Sequence, residues 1–208
     1  CKSLKMNLYN LHTDPQSLLY GNSAPDQLPQ LFWPKYRNNH EELKKREGAI
    51  AKSREYALKY GPFPAGEPAI ATDTNSAYEY AIDVLKGPFP LGEEAISQSA
   101  KFSFSYAMEV LTEENGRFPL GEPAIARDAF YAYEYSRFIL DGRFKLGEKA
   151  IAVDAHYAFF YARDVLKGPF PAGEEVLAKN ETYSQRYANS VLEADFYFDN
   201  KLIAKYKW

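Results

Sequence analysis

The chain reads as an all-α protein: an α-solenoid of about six short helical repeats with a helical N-terminal cap and a small C-terminal β-hairpin. Three observations predict this. A pentapeptide recurs as Gly66–Ile70 (GEPAI), Gly92–Ile96 (GEEAI), Gly121–Ile125 (GEPAI), Gly147–Ile151 (GEKAI) and Gly173–Leu177 (GEEVL), at spacings of 26, 29, 26 and 26 residues. A fixed period of this size marks stacked supersecondary units, each too small to bury its apolar face alone. Asp73, Ser99, Asp128, Asp154 and Asn180 then stand in register, each a good N-cap for a longer helix. Behind each cap the apolar residues follow helical spacing, as in Ala132, Tyr135, Ser136 and Ile139 at i, i+3, i+4 and i+7.

In chain order, residues 1–46 are not repetitive and are predicted to cap the first unit, since a bare outer face needs cover. Thr13-Asp14-Pro15 reads as the start of a brief helix over Gln16–Tyr20, Leu31–Tyr36 as an anchor carrying Trp33, and Arg37–Arg46 as a charged helical run. Met6 is a candidate natural start, with Cys1–Lys5 either a leader or a remnant ahead of it.

Residues 47–193 form the array. A degenerate unit over 47–65 opens with EGAIA and has its helix at Ser53–Tyr60; full units begin at 66, 92, 121, 147 and 173. Within a unit, Glu67 and its equivalents are expected at an N-cap, with proline at N1 of a one-turn helix in two units. The longer helix ends in a Val/Ile-Leu pair, and Gly87, Gly116, Gly142 and Gly168 are expected as its C-terminal stops. Tyr80, Tyr106, Tyr135, Tyr161 and Tyr187 share a face with small residues, so they read as core, their hydroxyls reaching the next loop. Residues 194–208 change period: Phe196–Phe198 and Leu202–Ala204 flank Asp199-Asn200, which predicts a hairpin.

The repeats, with GEPAIA followed by YAYEY and DVLKGPFP, resemble those of uncharacterised proteins encoded by tailed bacteriophages, over about three quarters of the chain; the opening NLYNLHTDP also fits. The spacing is similar to that of short HEAT-like and leucine-rich-variant repeats, an analogy of fold only. The resemblance carries no catalytic or binding residues. It implies a viral protein acting in the cytoplasm of an infected bacterial host, on a host factor or defence component.

The chemistry of the residues points away from catalysis. His12, His40 and His156 form no pair at metal-ligand spacing, and no phosphate loop or nucleophile elbow occurs. The carboxylates repeat with the units, Glu67 in one column and Asp73 in another, which suits caps better than a unique acid–base pair. A net charge of −3 gives no basic field for nucleic acid or membrane, and no apolar run is long enough to span a bilayer. The single cysteine, Cys1, permits no intramolecular disulfide and suits a reducing compartment.

The helix face opposite the core varies between units, and there Phe130, Glu134, Arg137, Phe160, Arg163 and Met108 make an expected partner-binding patch. Aromatics and arginines are common anchors of protein interfaces. The reading is a non-enzymatic protein that binds another protein without a cofactor, with self-association possible. Two alternatives stand beside it: a nucleic-acid or nucleotide binder stacking bases on Phe102, Tyr131, Tyr157 and Tyr183, which the lack of interleaved basic residues disfavours, or a structural, self-assembling virion component.

Overall fold

The structure, a computed structural model, describes residues 40–111 and 116–207, with side chains from residue 45 onward. The expected brief helix, the Trp33 anchor and the start at Met6 lie outside the described residues. The protein is mostly helical, with a two-stranded antiparallel sheet at its C-terminal end.

The first element, α1, runs unbroken over His40–Tyr60. It takes in the charged run from His40 onward and the degenerate unit as far as Tyr60, so EGAIA is not a separate one-turn helix. The packing shows why: Ser53, the residue after Lys52, is buried within the helix and faces Gly66 as Ala77 faces Gly92, so it lies mid-helix and caps no new start. The full units each hold a short and a longer helix. The short ones are α2 (Glu67–Ile70), α4 (Glu93–Ile96), α6 (Glu122–Ile125), α8 (Glu148–Ile151) and α10 (Glu174–Ala178). The longer ones are α3 (Thr74–Glu79), α5 (Ala100–Glu109), α7 (Ala129–Phe138), α9 (Ala155–Phe160) and α11 (Glu181–Tyr187).

The predicted caps of the longer helices are all in place. Asp73, Ser99, Asp128, Asp154 and Asn180 are extended, and each side chain accepts a backbone N–H two or three residues on. The short helices differ from expectation: Gly66 and its equivalents hold the N-cap, and Glu67 is already the first helical residue. The glycine is needed for close packing. A Cβ at Gly147 would lie 2.6 Å from the Phe144 ring and 2.7 Å from the Cβ of Ala132 on the preceding unit. That contact explains the small residues found at the Ala132 position of each helix.

The helix ends also correct the expected glycine stops. Helices α3, α9 and α11 widen into π-helical turns at Tyr80–Leu85, Tyr161–Leu166 and Ala188–Leu192. The left-handed residue comes one position before the expected glycine at Lys86 (φ 52°), Asp141 (φ 44°) and Lys167 (φ 51°), and at Glu193 (φ 49°) before Ala194 in the last unit. Gly116, at φ 67°, is the one predicted stop that takes this conformation. With or without a π-helical turn before it, the N–H of Gly87, Gly142, Gly168 or Ala194 bonds the carbonyl six residues back. Ala194 does this as well as glycine.

The core is built on the repeated tyrosine. Tyr80, Tyr106, Tyr135, Tyr161 and Tyr187 are fully buried beside Ile70, Ile96, Ile125, Ile151 and Leu177. Each hydroxyl accepts the N–H of the phenylalanine in the turn that leads into its own unit (Phe63, Phe89, Phe118, Phe144, Phe170) at 2.8–3.0 Å. It donates to the glutamate that starts the short helix at 2.8–3.2 Å. The hydroxyls therefore reach backward, not into the next loop, and the glutamates are hydroxyl acceptors, not caps. The buried turn N–H is thereby satisfied where helical pairing cannot reach it.

The same tyrosine rings pack forward on the next unit's turn phenylalanine, with centroids 4.9–5.3 Å apart. After Tyr187 that position is filled by Phe196 in strand β1 (Phe196–Phe198), which pairs with β2 (Lys201–Ala204). Asp199 and Asn200 turn the hairpin with φ of 50° and 61°, the two-residue geometry whose twist suits antiparallel strands.

Candidate interaction face

The longer helices touch in succession, α3 to α5, α5 to α7, α7 to α9 and α9 to α11. A second aromatic series joins them. Tyr78 packs on Phe102, Phe104 on Tyr131, Tyr133 on Tyr157 and Phe159 on Tyr183, with centroids 5.1–6.1 Å apart. The row Phe102, Tyr131, Tyr157 and Tyr183 is thus half-buried between units, each ring packed on one of the preceding unit.

Above this layer lie the predicted site residues. Phe130, Glu134 and Arg137 follow at i, i+4 and i+7 on α7, and Phe160 and Arg163 stand at matching positions on α9 and its π-helical continuation. Phe130 is 41% exposed, Arg137 and Arg163 are exposed, and Glu134 and Phe160 are half-buried. Met108 holds the Arg137 position on α5 and is 38% exposed. Phe160 is less free than its position on the outer face suggested, because it packs against Tyr133, Phe159 and His156.

Two residues that sequence reasoning did not select tie the arginines together. Tyr133 donates its hydroxyl to Asp164 Oδ2 at 2.9 Å and accepts from Arg137 Nη1 at 3.4 Å. Asp164 in turn receives both Nε and Nη2 of Arg163, at 2.6 and 2.9 Å. The fork-on-carboxylate geometry fixes the guanidinium plane. Arg163 lies over Phe160 at 4.5 Å and Phe159 at 5.3 Å, and Arg137 over the exposed ring of Phe138 at 4.8 Å.

The electrostatics follow from these contacts. The Arg163 bonds hold the Asp164 carboxyl below its ordinary range against the effect of burial, with Tyr133 adding to them. Burial, helped by Asp164, pushes the Tyr133 hydroxyl up to about 12. Partial burial raises Glu134, which Arg137 partly offsets. Beside the patch, His156 Nδ1 lies 2.6 Å from the Tyr183 hydroxyl. A signal for the Tyr133–Asp164 pair existed in the repeats: an acid also stands at the Asp164 position as Asp83 and Glu109, and burial, with Glu109 adding to it across the first and second units, raises Tyr78.

Among the described residues, no three His, Cys, Asp or Glu side chains cluster as a metal site would require, and no helix is long and apolar enough to cross a membrane. No family model, no curated protein and no solved structure matches the chain.

Proposed function

We propose that this chain is an α-solenoid whose third and fourth units present a protein-binding face, and that it is a non-enzymatic phage protein acting on a host or defence protein in the infected bacterial cytoplasm. The observation that carries the reading is the mounting of the two arginines. Arg163 is held by Asp164 over Phe160, and Arg137 leans on Tyr133 and Phe138, with Phe130 exposed beside them. Side chains fixed before binding lose less entropy on association, and aromatic and arginine anchors dominate protein interfaces. The phage assignment draws only on the resemblance of the repeats.

The test is affinity capture from phage-infected cells with the wild-type chain and with Arg137→Ala/Arg163→Ala. Both arginines are exposed, so the variant keeps its thermal midpoint. It is expected to retain the partner at least about tenfold less well, about 1.4 kcal/mol. Equal retention by a folded variant refutes the site.

One observation favours nucleic acid as a second reading: Lys101, Arg137, Arg163 and Arg186 each lie over a ring on successive helices. Asp164 and Glu134 counter that charge within the patch. Salt-dependent retention on single-stranded DNA, lost in the same variant, selects this alternative.

A further inference from the structure

The opening turns carry a feature that the α7–α9 face does not use. The residue just before each unit's glycine is Ala65, Leu91, Leu120, Leu146 and Ala172 in turn. The three leucines are exposed at 54%, 51% and 55%. An isolated exposed leucine needs no explanation, but three at one register on consecutive units form a row. The row is also symmetric: alanine, three leucines, alanine, centred on Leu120.

Beside the two outer leucines the charges are opposite about the same centre, while the end units, with Pro68 and Glu175, do not continue the pattern. In the short helices the residue after the repeated glutamate is Glu94 in the second unit, Pro123 in the third and Lys149 in the fourth. Glu94 and Lys149 are both exposed. Leu91, Glu94 and Gln98 border one shallow depression with Pro68 and Thr72 of the preceding unit and Arg46 of α1, so in the second unit the leucine and the charge look onto a common surface.

We infer that this surface binds a second copy of the chain. A two-fold interface demands self-complementarity: residue i meets j, and j meets i. Let the units follow in the regular succession proposed above, with the axis passing at Leu120 and the copies antiparallel, face to face. Leu120 then meets its own copy, Leu91 meets Leu146, and Glu94 meets Lys149, each pairing occurring twice except the first. An unrelated partner has no need of a leucine pattern that reads the same in both directions with opposite charges at mirrored places. Val153, 73% exposed, faces Gln98 in this arrangement. Arg127 falls near the axis opposite itself and opposes association, which makes the contact weak and reversible.

Sedimentation analysis of the full chain from about 10 µM to about 1 mM covers the range expected for an interface of this small size. The wild type is expected to pass from monomer to dimer across it. Leu120→Glu, which sets two carboxylates against each other on the axis, is expected to stay monomeric with its helical content unchanged. Glu94→Lys and Lys149→Glu are each expected to weaken the dimer about tenfold or more, because each sets like charges together twice. Mixing those two variants restores both pairs and with them a heterodimer. A wild type that stays monomeric throughout, a dimer indifferent to Leu120→Glu, or charge variants that do not rescue one another when mixed overturns the proposal. Leu120→Glu leaves Arg137 and Arg163 in place, so partner capture by that variant distinguishes failure of this surface from failure of the α7–α9 face.

Discussion

Removing one oxygen from the centre of the protein tests the tyrosine clamp most directly. In Tyr135→Phe the ring stays, still packed on Phe144 at 5.3 Å, but the hydroxyl that accepts the Phe118 N–H at 2.9 Å is gone. Phe118 is 2% exposed, so water cannot readily replace that acceptor. Glu122 also loses a donor, yet it keeps Arg117 Nε at 2.8 Å, and its side chain reaches solvent. The dominant cost is therefore one buried N–H left unpaired, about 1–3 kcal/mol. In a chain of this size that lowers the thermal midpoint by roughly 2–12 °C. Tyr106→Phe should cost at least as much, because Pro88 stands where Arg117 would support the glutamate. Tyr135→Ala, which empties the site, is expected at about 3–5 kcal/mol. Urea unfolding at unchanged slope measures all three. A Tyr135→Phe protein within about 0.5 kcal/mol of wild type would falsify the clamp as a stabilising element.

Other outcomes follow from the same geometry. Gly147→Ala should lose about 1–3 kcal/mol through overpacking against Phe144 and Ala132, and a neutral result in urea unfolding contradicts the tight unit junction. Stability should fall above pH 10. Burial raises the Tyr135 hydroxyl from 10.0 to about 12, and its equivalents in the other units shift the same way. Between those values the folded chain holds more protons than the unfolded one, so stability is intact below pH 10 and declines as pH rises toward 12. A midpoint flat from pH 9 to about 12 disproves it. Phe196→Ala should open the hairpin first, so that amides of residues 196–204 exchange faster than those of α7; uniform acceleration across the chain refutes local docking.

Much of this fold could be read from the residues. Asp128 before an apolar helical stripe announced α7, and its carboxylate takes the Tyr131 N–H as capping chemistry requires. The small residue at Ala132 announced a close approach, which proved to be Gly147 of the next unit. Other features left weaker traces. The π-helical widening at Tyr161–Leu166 is a backbone choice, and its Val-Leu ending is the same one found at α5, which lacks that turn. The Tyr135 hydroxyl was recognised as needing a partner, but periodicity alone does not say whether a side chain reaches forward or back. Asp164 was passed over because its contact, Tyr133, lies 31 residues away on another helix, beyond the reach of any local pattern. The reading of EGAIA as a separate turn failed because Ser53, which looks like a cap in the sequence, is instead buried inside α1 against Gly66.

The place of Phe196 bears on how long such a protein can be. It stands nine residues after Tyr187, the same interval that separates Tyr135 from Phe144 and Tyr161 from Phe170. The hairpin thus recognises the end of a unit, not a particular unit. Excising residues 147–172 as one block would bring Tyr135 and Phe144 up to Gly173 with the junction chemistry unchanged, because Ala132 would meet Gly173 as Ala158 does now. Unit number is then a free variable for evolution and for engineering, set by duplication or loss of a 26-residue cassette between ends that need not change. A chain shortened in this way would lose Asp164, and with it the tether on Arg137 and Tyr133, while keeping its core. Length and recognition are separable in this architecture.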